Sequence, residues 1–248
     1  MSKLLEIKSL KKNYHTKEGE IDAIDSFNLE LNKGEIIALV GPSGCGKSTI
    51  LSIIAKLDKD YSGKIIYDDN LKISYMLQND ALLPWLSVYD NALLGIKIQN
   101  KVNEDILNYV DYLFNLYNLN EFKNNYPKSL SGGMKQRVAL IRTLALKPDL
   151  LLLDEPFSAL DEQSRLLISD DVYKIVKKEN KTVILVTHNI EEAIYFADKV
   201  IILSKRPMNI KNIINIDIAS KDSIIKRRKS PKLLEYFEII RKDLDIIE

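Results

Sequence analysis

The sequence predicts an α/β fold: a mostly parallel sheet with helices on its faces, an antiparallel β edge and an inserted α-helical subdomain. A short apolar run at residues 36–40 leads through a glycine-rich turn into a helical pattern. Apolar runs and helical patterns alternate again over residues 150–203, as they do in βαβ units. Between these parts, residues 79–147 have helical periodicity only. These three observations predict the fold class.

The glycine-rich turn has the G-x-x-x-x-G-K-S spacing of a phosphate-binding loop (P-loop). A P-loop lies between a strand and a helix, and this context disfavours the alternative of an ordinary tight turn. Its backbone N–H groups and the start of the helix would form a nest for nucleotide phosphates. Lys47 would reach the β- and γ-phosphates and Ser48 would bind Mg²⁺, so the core is predicted to be a P-loop NTPase. The predicted loop consists of Gly41, Pro42, Ser43, Gly44, Cys45, Gly46, Lys47, Ser48 and Thr49. Cys45 is expected to contribute its backbone N–H, with a reactive thiol as a secondary possibility.

Composition indicates a globular protein with ample residues for a core. The chain has 248 residues, of which 46% are hydrophobic, and 36 basic residues balance 35 acidic ones. This balance predicts no general attraction to nucleic acid or anionic lipid. The single cysteine excludes an intrachain disulfide framework and fits a reducing cytosol. No signal peptide is expected at the N-terminus, and no apolar run approaches the ~20 residues that span a bilayer. Any membrane role would therefore depend on a partner.

Short strands are predicted at residues 4–10 and 27–31, on either side of a polar loop. Residues 64–67 and 73–77 are predicted to pair as a hairpin whose tip is residues 68–70. Helices are predicted at 88–94, at 104–118 with Asn103 as N-cap, from Ser131 to near Pro148, around 168–176, and from Asn189 to Ala197. Strands are predicted at 150–153, 182–186 and 200–203.

The chain is interpreted as one nucleotide-binding domain, residues 1–248. Its α/β core would comprise residues 1–78 and 148–218, and its helical subdomain residues 79–147. Residues 219–248 are predicted to form a C-terminal tail with an amphipathic surface helix and a solvated basic turn, Lys226–Lys229. Four charges without interleaved aromatic residues do not favour nucleic-acid binding.

Two adjacent carboxylates follow the buried run of four leucines. Asp154 and Glu155 would lie beside the P-loop if their strand and the P-loop strand are neighbours. Nucleotide hydrolysis requires a carboxylate near Mg²⁺ and a group that orients or deprotonates water. Asp154 is predicted to hold Mg²⁺ through water, and Glu155 to be the general base. Two surface acids at the start of a turn are the alternative, and the leucine run and the upstream P-loop disfavour it.

Gln78 and His188 each follow a predicted strand, at the edge where ligands gather in open α/β sheets. Gln78 is a candidate for contact with Mg²⁺ and the attacking water, and His188 for donation to the γ-phosphate. Tyr14 is a candidate for stacking on a purine. Taken singly, Gln78 and His188 each fit a satisfied loop residue better than a catalytic one, and the position of one tyrosine among 12 does not by itself identify a stacking role.

Paired glycines follow Ser131 at the start of a predicted helix. Ser131, Gly132 and Gly133 would form a second anion-binding helix N-terminus, whereas the alternative is a plain N-cap with flexible glycines. Two such helix ends with one evident nucleotide suggest a dimer in which each end serves the partner's nucleotide.

Taken together, these motifs resemble the ATP-binding subunits of ABC transporters over almost the whole chain. The motifs are Gly41–Thr49, Gln78, residues 130–137, residues 150–155, residues 158–161 and Thr187-His188. The resemblance implies a head-to-tail homodimer with two ATP molecules and Mg²⁺ at the interface, each ATP between the P-loop of one subunit and Ser131–Gly133 of the other. It also implies that Tyr14 stacks on adenine and that Asp161 couples the two sites.

Residues 82–85, Met134, residues 156–161 and residues 204–207 are similar to the nitrate/sulfonate/taurine-type bacterial importers. This resemblance implies an ATPase that lies peripherally at the cytoplasmic face of the membrane. Permease subunits would dock near residues 78–91, and an extracytoplasmic solute-binding protein would act indirectly.

Three alternatives stay open. The first is a non-transport ABC ATPase that acts on nucleic acid or ribosomes, which the single cassette and the lack of sustained heptads disfavour. The second is a nucleotide-binding scaffold without turnover, which the presence of both Glu155 and His188 disfavours. The third is an ABC exporter subunit.

Overall fold

The computed structural model of the protein describes residues 2–16, 19–219 and 222–244. Met1, residues 17–18 of the predicted polar loop, and residues 220–221 and 245–248 of the predicted tail lie outside the described residues. The strands are β1 (Lys3–Thr16), β2 (Gly19–Asn32), β3 (Ile36–Val40), β4 (Ser62–Tyr67), β5 (Ile73–Met76), β6 (Leu150–Asp154), β7 (Thr182–Val186), β8 (Lys199–Leu203) and β9 (Ile210–Asn215). The helices are α1 (Lys47–Ile54), α2 (Val88–Ile98), α3 (Glu104–Leu116), α4 (Gly132–Ala145), α5 (Glu162–Lys178), α6 (Ile190–Phe196), α7 (Ile224–Arg228) and α8 (Lys232–Asp243).

The central sheet has six strands in the order β5-β6-β7-β3-β8-β9. All neighbouring pairs are parallel except β8–β9, which is antiparallel. A second, antiparallel sheet has the order β2-β1-β4. The predicted fold class, a mostly parallel sheet with an antiparallel β part and inserted helices, is therefore confirmed.

Strands β3 and β6 are buried along their whole length because both faces of the sheet are covered. On β6, Leu151 and Leu153 pack in a core cluster with helices α2 to α6, while Leu150 and Leu152 pack in a second cluster with β1, β2 and α1. The continuous apolar run reflects this double burial, as the sequence predicts.

Strands β3 and β6 are not neighbours, because β7 lies between them. Their carboxyl ends still point to the same edge of the sheet, since β3, β7 and β6 are parallel. The prediction from the sequence requires the strand of Asp154 to be next to the P-loop strand, and it is not. Their parallel order alone is enough to bring Asp154 to the P-loop.

The predicted hairpin between residues 64–67 and 73–77 is wrong. Strand β4 pairs antiparallel with β1, with Ile7 opposite Ile65, whereas β5 pairs parallel with β6, with Ile73 opposite Leu150. Two consecutive strands with a polar turn between them look alike in sequence whether they pair together or join separate sheets.

Strands β1 and β2 are also longer than predicted, because they continue as an antiparallel pair to Thr16 and Gly19. Much of this outer pair is solvent-exposed, so its sequence lacks the alternation of a half-buried strand.

The helices between β5 and β6 follow the predicted pattern. Asn103 caps α3 by accepting from the Ile106 N–H (2.9 Å), and Ser131 caps α4 by accepting from the Met134 N–H (3.3 Å). After β7, Asn189 caps α6 by accepting from the Glu192 N–H (3.0 Å). Of the described helices, none is long and apolar enough to cross a membrane.

The described part of the tail forms α7 and α8, and its basic turn is not solvated throughout. Arg227 is 1% exposed and donates to the carbonyls of Ala197 (2.7 Å) and Ile194 (3.3 Å). Its guanidinium lies 5.8 Å from the centroid of the Tyr173 ring. The predicted solvated turn is therefore wrong at this residue, because the carbonyls at the end of α6 require donors.

Candidate nucleotide-binding and catalytic site

The P-loop connects β3 to α1 and depends on glycines at particular positions. Gly44 and Gly46 have φ of 72° and 121°, values that side chains with a Cβ rarely adopt. A Cβ at Gly41 would lie 3.0 Å from the Cβ of Leu203, so the loop packs closely against the end of β8. Helix α1 begins at Lys47, so the last three residues of the predicted loop form its first turn. Its N-terminal N–H groups therefore face the same point as the loop.

The Lys47 ammonium lies against the loop itself. It donates to the carbonyls of Gly41 (2.8 Å) and Pro42 (2.9 Å), and its side chain is buried. Cys45 is 2% exposed, and its N–H donates to the Pro42 carbonyl (3.3 Å). The loop thus fixes a cation at its centre and keeps the thiol away from solvent.

A cleft of about 250 Å³ opens over the P-loop. The predicted residues that line it are Ser43, Gly44, Gly46, Lys47, Ser48, Thr49, Gln78, Asp154 and Glu155. Val186 and Arg206 complete its walls. Candidates from three separate stretches of the sequence therefore meet at one site.

Asp154 lies at the end of β6 and is 3% exposed. The Ser48 hydroxyl donates to its carboxylate, and so does the Tyr75 hydroxyl (3.3 Å). Burial raises the pKa of Asp154, while the hydrogen bonds from Ser48 and Tyr75 lower it. This arrangement places a serine oxygen and a carboxylate oxygen in contact beside the loop, and such hard oxygen donors suit Mg²⁺. Among the described residues, no three or more histidine, cysteine, aspartate or glutamate side chains cluster in a way that could hold a metal ion.

Glu155 contacts both residues that the sequence singles out at strand ends. Its Oε2 lies 3.3 Å from Nδ1 of His188 and accepts from Nε2 of Gln78 (3.4 Å). The side chain of His188 is 66% exposed and that of Glu155 is 20% exposed. Glu155 lines the cleft, whereas His188 does not. A carboxylate, an imidazole and an amide thus converge next to the phosphate-binding loop.

Tyr14 lies on β1, near the start of the P-loop helix α1. Its hydroxyl is 3.2 Å from Oγ1 of Thr49, and 40% of its surface is exposed. The buried Lys12 lies 4.8 Å from the centroid of its ring and pairs with Asp58 (3.1 Å). The ring is therefore held next to the loop with part of its surface open to a ligand.

Ser131, Gly132 and Gly133 do not line this cleft. Ser131 and Gly132 are exposed at the start of α4, and a Cβ at Gly133 would lie 3.1 Å from Leu160. Within one chain, the two glycines therefore lie against the turn after Glu155 and not at the P-loop. That turn ends at Asp161, whose carboxylate caps α5 by accepting from the Ser164 N–H (2.9 Å), and this bond lowers the pKa of Asp161.

The residues predicted from the sequence do not include three residues of the site. Arg206 lines the cleft and donates from Nε to the Gly44 carbonyl (2.5 Å). Tyr75 donates to Asp154, and Gln136 donates to the Glu155 carbonyl (3.1 Å). The sequence does carry a signal for Gln136, because this polar residue lies three positions before Ala139 on the buried face of α4. For Tyr75 and Arg206 no comparable signal is present.

Comparisons with known proteins agree with this geometry. The sequence model of the ABC transporter family matches residues 24–158. The ABC transporter ATP-binding protein YtlC of Bacillus subtilis is 40% identical over 95% of this chain and 93% of its own length. The aliphatic sulfonates import ATP-binding protein SsuB of Bacillus anthracis is 36% identical over 94% of this chain and 95% of its own. The nitrate import ATP-binding protein NrtD of a Synechocystis strain is 34% identical over 95% and 93%.

A solved structure supports the same assignment. The dimeric ATP-binding cassette MJ0796, in a post-hydrolysis state with ADP and Pi bound, is 31% identical and has a TM-score of 0.78. The similarity covers 87% of this chain and all of that one. With a P-loop, a nearby carboxylate pair and full-length relatives of this kind, the chain belongs to the ABC transporter family, as an ATP-binding cassette with ATPase activity.

Proposed function

We propose that this chain is the ATP-hydrolysing subunit of a bacterial ABC importer that takes up a small solute, such as nitrate, a sulfonate, taurine or a related compound. The names of the relatives SsuB and NrtD support import of such solutes. The subunit would lie peripherally at the cytoplasmic face of the membrane. It would energise transport through permease subunits that span the membrane.

The observation that carries the proposal is the contact of Glu155 with both His188 and Gln78 beside the P-loop cleft. Glu155 is proposed to take a proton from the attacking water, and Gln78 to orient that water. His188 would donate to the γ-phosphate as charge develops on it. The three residues follow β6, β7 and β5, so the parallel sheet sets their spacing.

The P-loop is proposed to bind the ATP phosphates through residues 41–49. Lys47 already lies against the loop carbonyls of Gly41 and Pro42. Phosphate oxygens carry charge and are stronger acceptors than carbonyls, so the ammonium would turn toward the β- and γ-phosphates. Tyr14, beside Thr49, would stack on the adenine.

Mg²⁺ is proposed to bind at Ser48, with Asp154 holding it through water and Gln78 contributing its amide oxygen. The oxygen donors of this set fit Mg²⁺, which commonly keeps waters and takes only one or two protein ligands beside phosphates. When bound, Mg²⁺ would neutralise negative charge on the phosphates. The Tyr75 hydroxyl would keep the Asp154 carboxylate oriented.

A second copy of the chain is proposed to complete each ATP site. Ser131, Gly132 and Gly133 form an exposed helix N-terminus suited to an anion, yet they lie outside the cleft of their own chain. In a head-to-tail homodimer they would face the γ-phosphate bound by the partner's P-loop. The dimeric neighbour with bound ADP and Pi supports this arrangement. Asp161 would couple the two sites.

ATP would therefore hold two subunits together, and hydrolysis would weaken their contact by adding charge repulsion. The permease would sense these two states at residues 78–91, where Trp85 is 69% exposed. An extracytoplasmic solute-binding protein is implied on the other side of the membrane. No nucleic-acid partner is expected.

Replacing Glu155 by Gln tests the catalytic assignment. Glu155→Gln should retain ATP affinity within a few-fold and lower the turnover rate by about 100-fold or more, because the amide cannot accept a proton. An ATP-bound dimer should accumulate in size-exclusion chromatography. Glu104→Gln, at the exposed start of α3, is the matched control. Hydrolysis by Glu155→Gln at the wild-type rate would refute the assignment.

Import is tested separately, by reconstitution in proteoliposomes with any permease and solute-binding protein that neighbouring genes prove to encode. We expect ATP-dependent uptake with the wild-type subunit and none with Glu155→Gln. Solute movement in the opposite direction would favour an exporter.

A further inference from the structure

The backbone of Glu155 has a left-handed conformation, with φ of 49°. Residues with a Cβ rarely adopt this region, and they do so when surrounding contacts hold them there. Here the conformation turns the chain sharply at the end of β6. It also determines where the carboxylate of Glu155 points relative to His188.

Four hydrogen bonds hold the peptide groups of Glu155. Its N–H donates to the carbonyl of Val186 on β7 (2.9 Å). Its own carbonyl accepts from the hydroxyl (3.0 Å) and the N–H (3.3 Å) of Ser158 and from Nε2 of Gln136 (3.1 Å). The first two partners come from the sheet and from the same turn. Gln136 is different, because it comes from helix α4.

The Gln136 amide bridges the whole turn after Glu155. Its Oε1 accepts from the Ala159 N–H (3.1 Å), while Nε2 lies 3.4 Å from Oγ of Ser158. The residue is 5% exposed, so water cannot easily replace these contacts. One buried amide thus satisfies a carbonyl and an N–H at the two ends of the turn.

We infer that Gln136 is a positioning residue for hydrolysis, by which helix α4 fixes the left-handed backbone of Glu155 and the direction of its carboxylate. This inference rests on the proposed role of Glu155 as general base. Gln136 does not touch the nucleotide; it acts through Glu155. Because the N-terminus of α4 carries Ser131, the same helix contributes to both proposed halves of the catalytic machinery.

Gln136→Met tests the inference, since methionine has a similar volume and cannot make these hydrogen bonds. We expect kcat to fall by about 10- to 100-fold, because small displacements of a reacting group have effects of that size. The KM for ATP should change by less than about twofold, because the P-loop is untouched. Gln136→Asn keeps the amide but is shorter by one carbon, and it should also lower kcat. It serves as the second variant if Gln136→Met does not fold.

Thr143→Val is the matched control on the same helix. It removes a buried hydroxyl whose hydrogen bond stays within α4, where it donates to the Ala139 carbonyl (2.7 Å). Its kcat should stay within about twofold of wild type, because it changes helix stability only. A loss of kcat equal to that of Gln136→Met would show a general effect of destabilising α4 and would overturn the inference.

A second readout uses the Glu155→Gln background, in which the carboxylate is already absent. There Gln136→Met should leave the fraction of ATP-trapped dimer unchanged, since positioning Glu155 no longer matters. A reduced fraction would mean that Gln136 acts on dimer formation, which contradicts the inference. If Glu155→Gln itself hydrolyses ATP normally, the proposed function fails. If it stalls while Gln136→Met keeps the wild-type kcat, only the inference fails.

Discussion

Nδ1 of His188 lies 3.3 Å from Oε2 of Glu155, although the two residues follow different strands of the sheet. Strand β6 leads to Glu155 and strand β7 to the histidine, and these strands are parallel neighbours. Beneath the histidine, the Thr187 hydroxyl donates to the buried Glu192 (2.6 Å) and accepts from the Asn189 N–H (3.1 Å). The turn that carries His188 is therefore anchored on both sides.

Loss of this imidazole should affect chemistry more than binding. We expect His188→Ala to lower kcat for ATP hydrolysis by about 100-fold, in the range typical for one donor to a developing charge. ATP affinity should change by only a few-fold. His15→Ala is the control, because His15 is the other histidine of the chain and is exposed on β1. Steady-state ATPase assays check this, and equal activities of the two variants would contradict the role of His188.

Ser131 should matter for hydrolysis even when its capping role is kept. Ser131→Asp preserves the acceptor for the Met134 N–H but adds a negative charge where the partner's γ-phosphate would lie. We expect hydrolysis to be abolished, as in Ser131→Arg, with little change in ATP binding to the monomer. Calorimetric ATP titration and ATPase assays check this. If both variants lose ATP binding and hydrolysis together, the site is not shared between two subunits.

The buried Glu192 should make stability depend on pH. Burial raises the pKa of Glu192 from 4.5 to about 7, and the Thr187 hydrogen bond and the charge of Arg165 only partly oppose this. The folded state therefore binds the proton more tightly than the unfolded state. The contribution to the free energy of unfolding is fully present below pH 4.5 and is lost as the pH rises to about 7, by an amount on the order of 3 kcal/mol.

The side chain in Glu192→Gln cannot titrate, so the free energy of unfolding of this variant should lack the pH dependence that Glu192 contributes. Urea unfolding of wild type and variant at intervals from pH 5 to pH 8 measures the difference between them. That difference should shift in favour of the variant as the pH rises. Parallel stability curves for the two proteins would show that Glu192 has an ordinary pKa.

Arg227 should stabilise the fold more than its neighbour Arg228 does. Arg227→Met removes donors from the buried carbonyls at the end of α6, which should cost about 1–3 kcal/mol of unfolding free energy. Arg228 instead pairs with the exposed Glu162 (3.0 Å), so Arg228→Met should cost less than about 1 kcal/mol. Urea unfolding of the two variants compares them directly. Equal losses would indicate that burial of Arg227 contributes little.

Strand pairing was the part of the fold that sequence patterns predicted least well. The sequence predicts strands at residues 64–67 and 73–77. Their partners, β1 and β6, are distant in the sequence. Which partner a strand takes is decided by hydrogen bonds between distant backbones, and residue patterns report mainly burial. The exposed outer part of β1 and β2 was missed for the same reason.

The sequence by itself determined the P-loop, the carboxylates Asp154 and Glu155, and the family. Spacing along one chain segment is enough for these features, because the chemistry of phosphate binding dictates local backbone shape. Only the tertiary structure decided that Gln78 and His188 meet at Glu155, and that Gln136 supports its left-handed backbone. These contacts join residues up to 77 positions apart, and they form only when the strands have taken their order in the sheet.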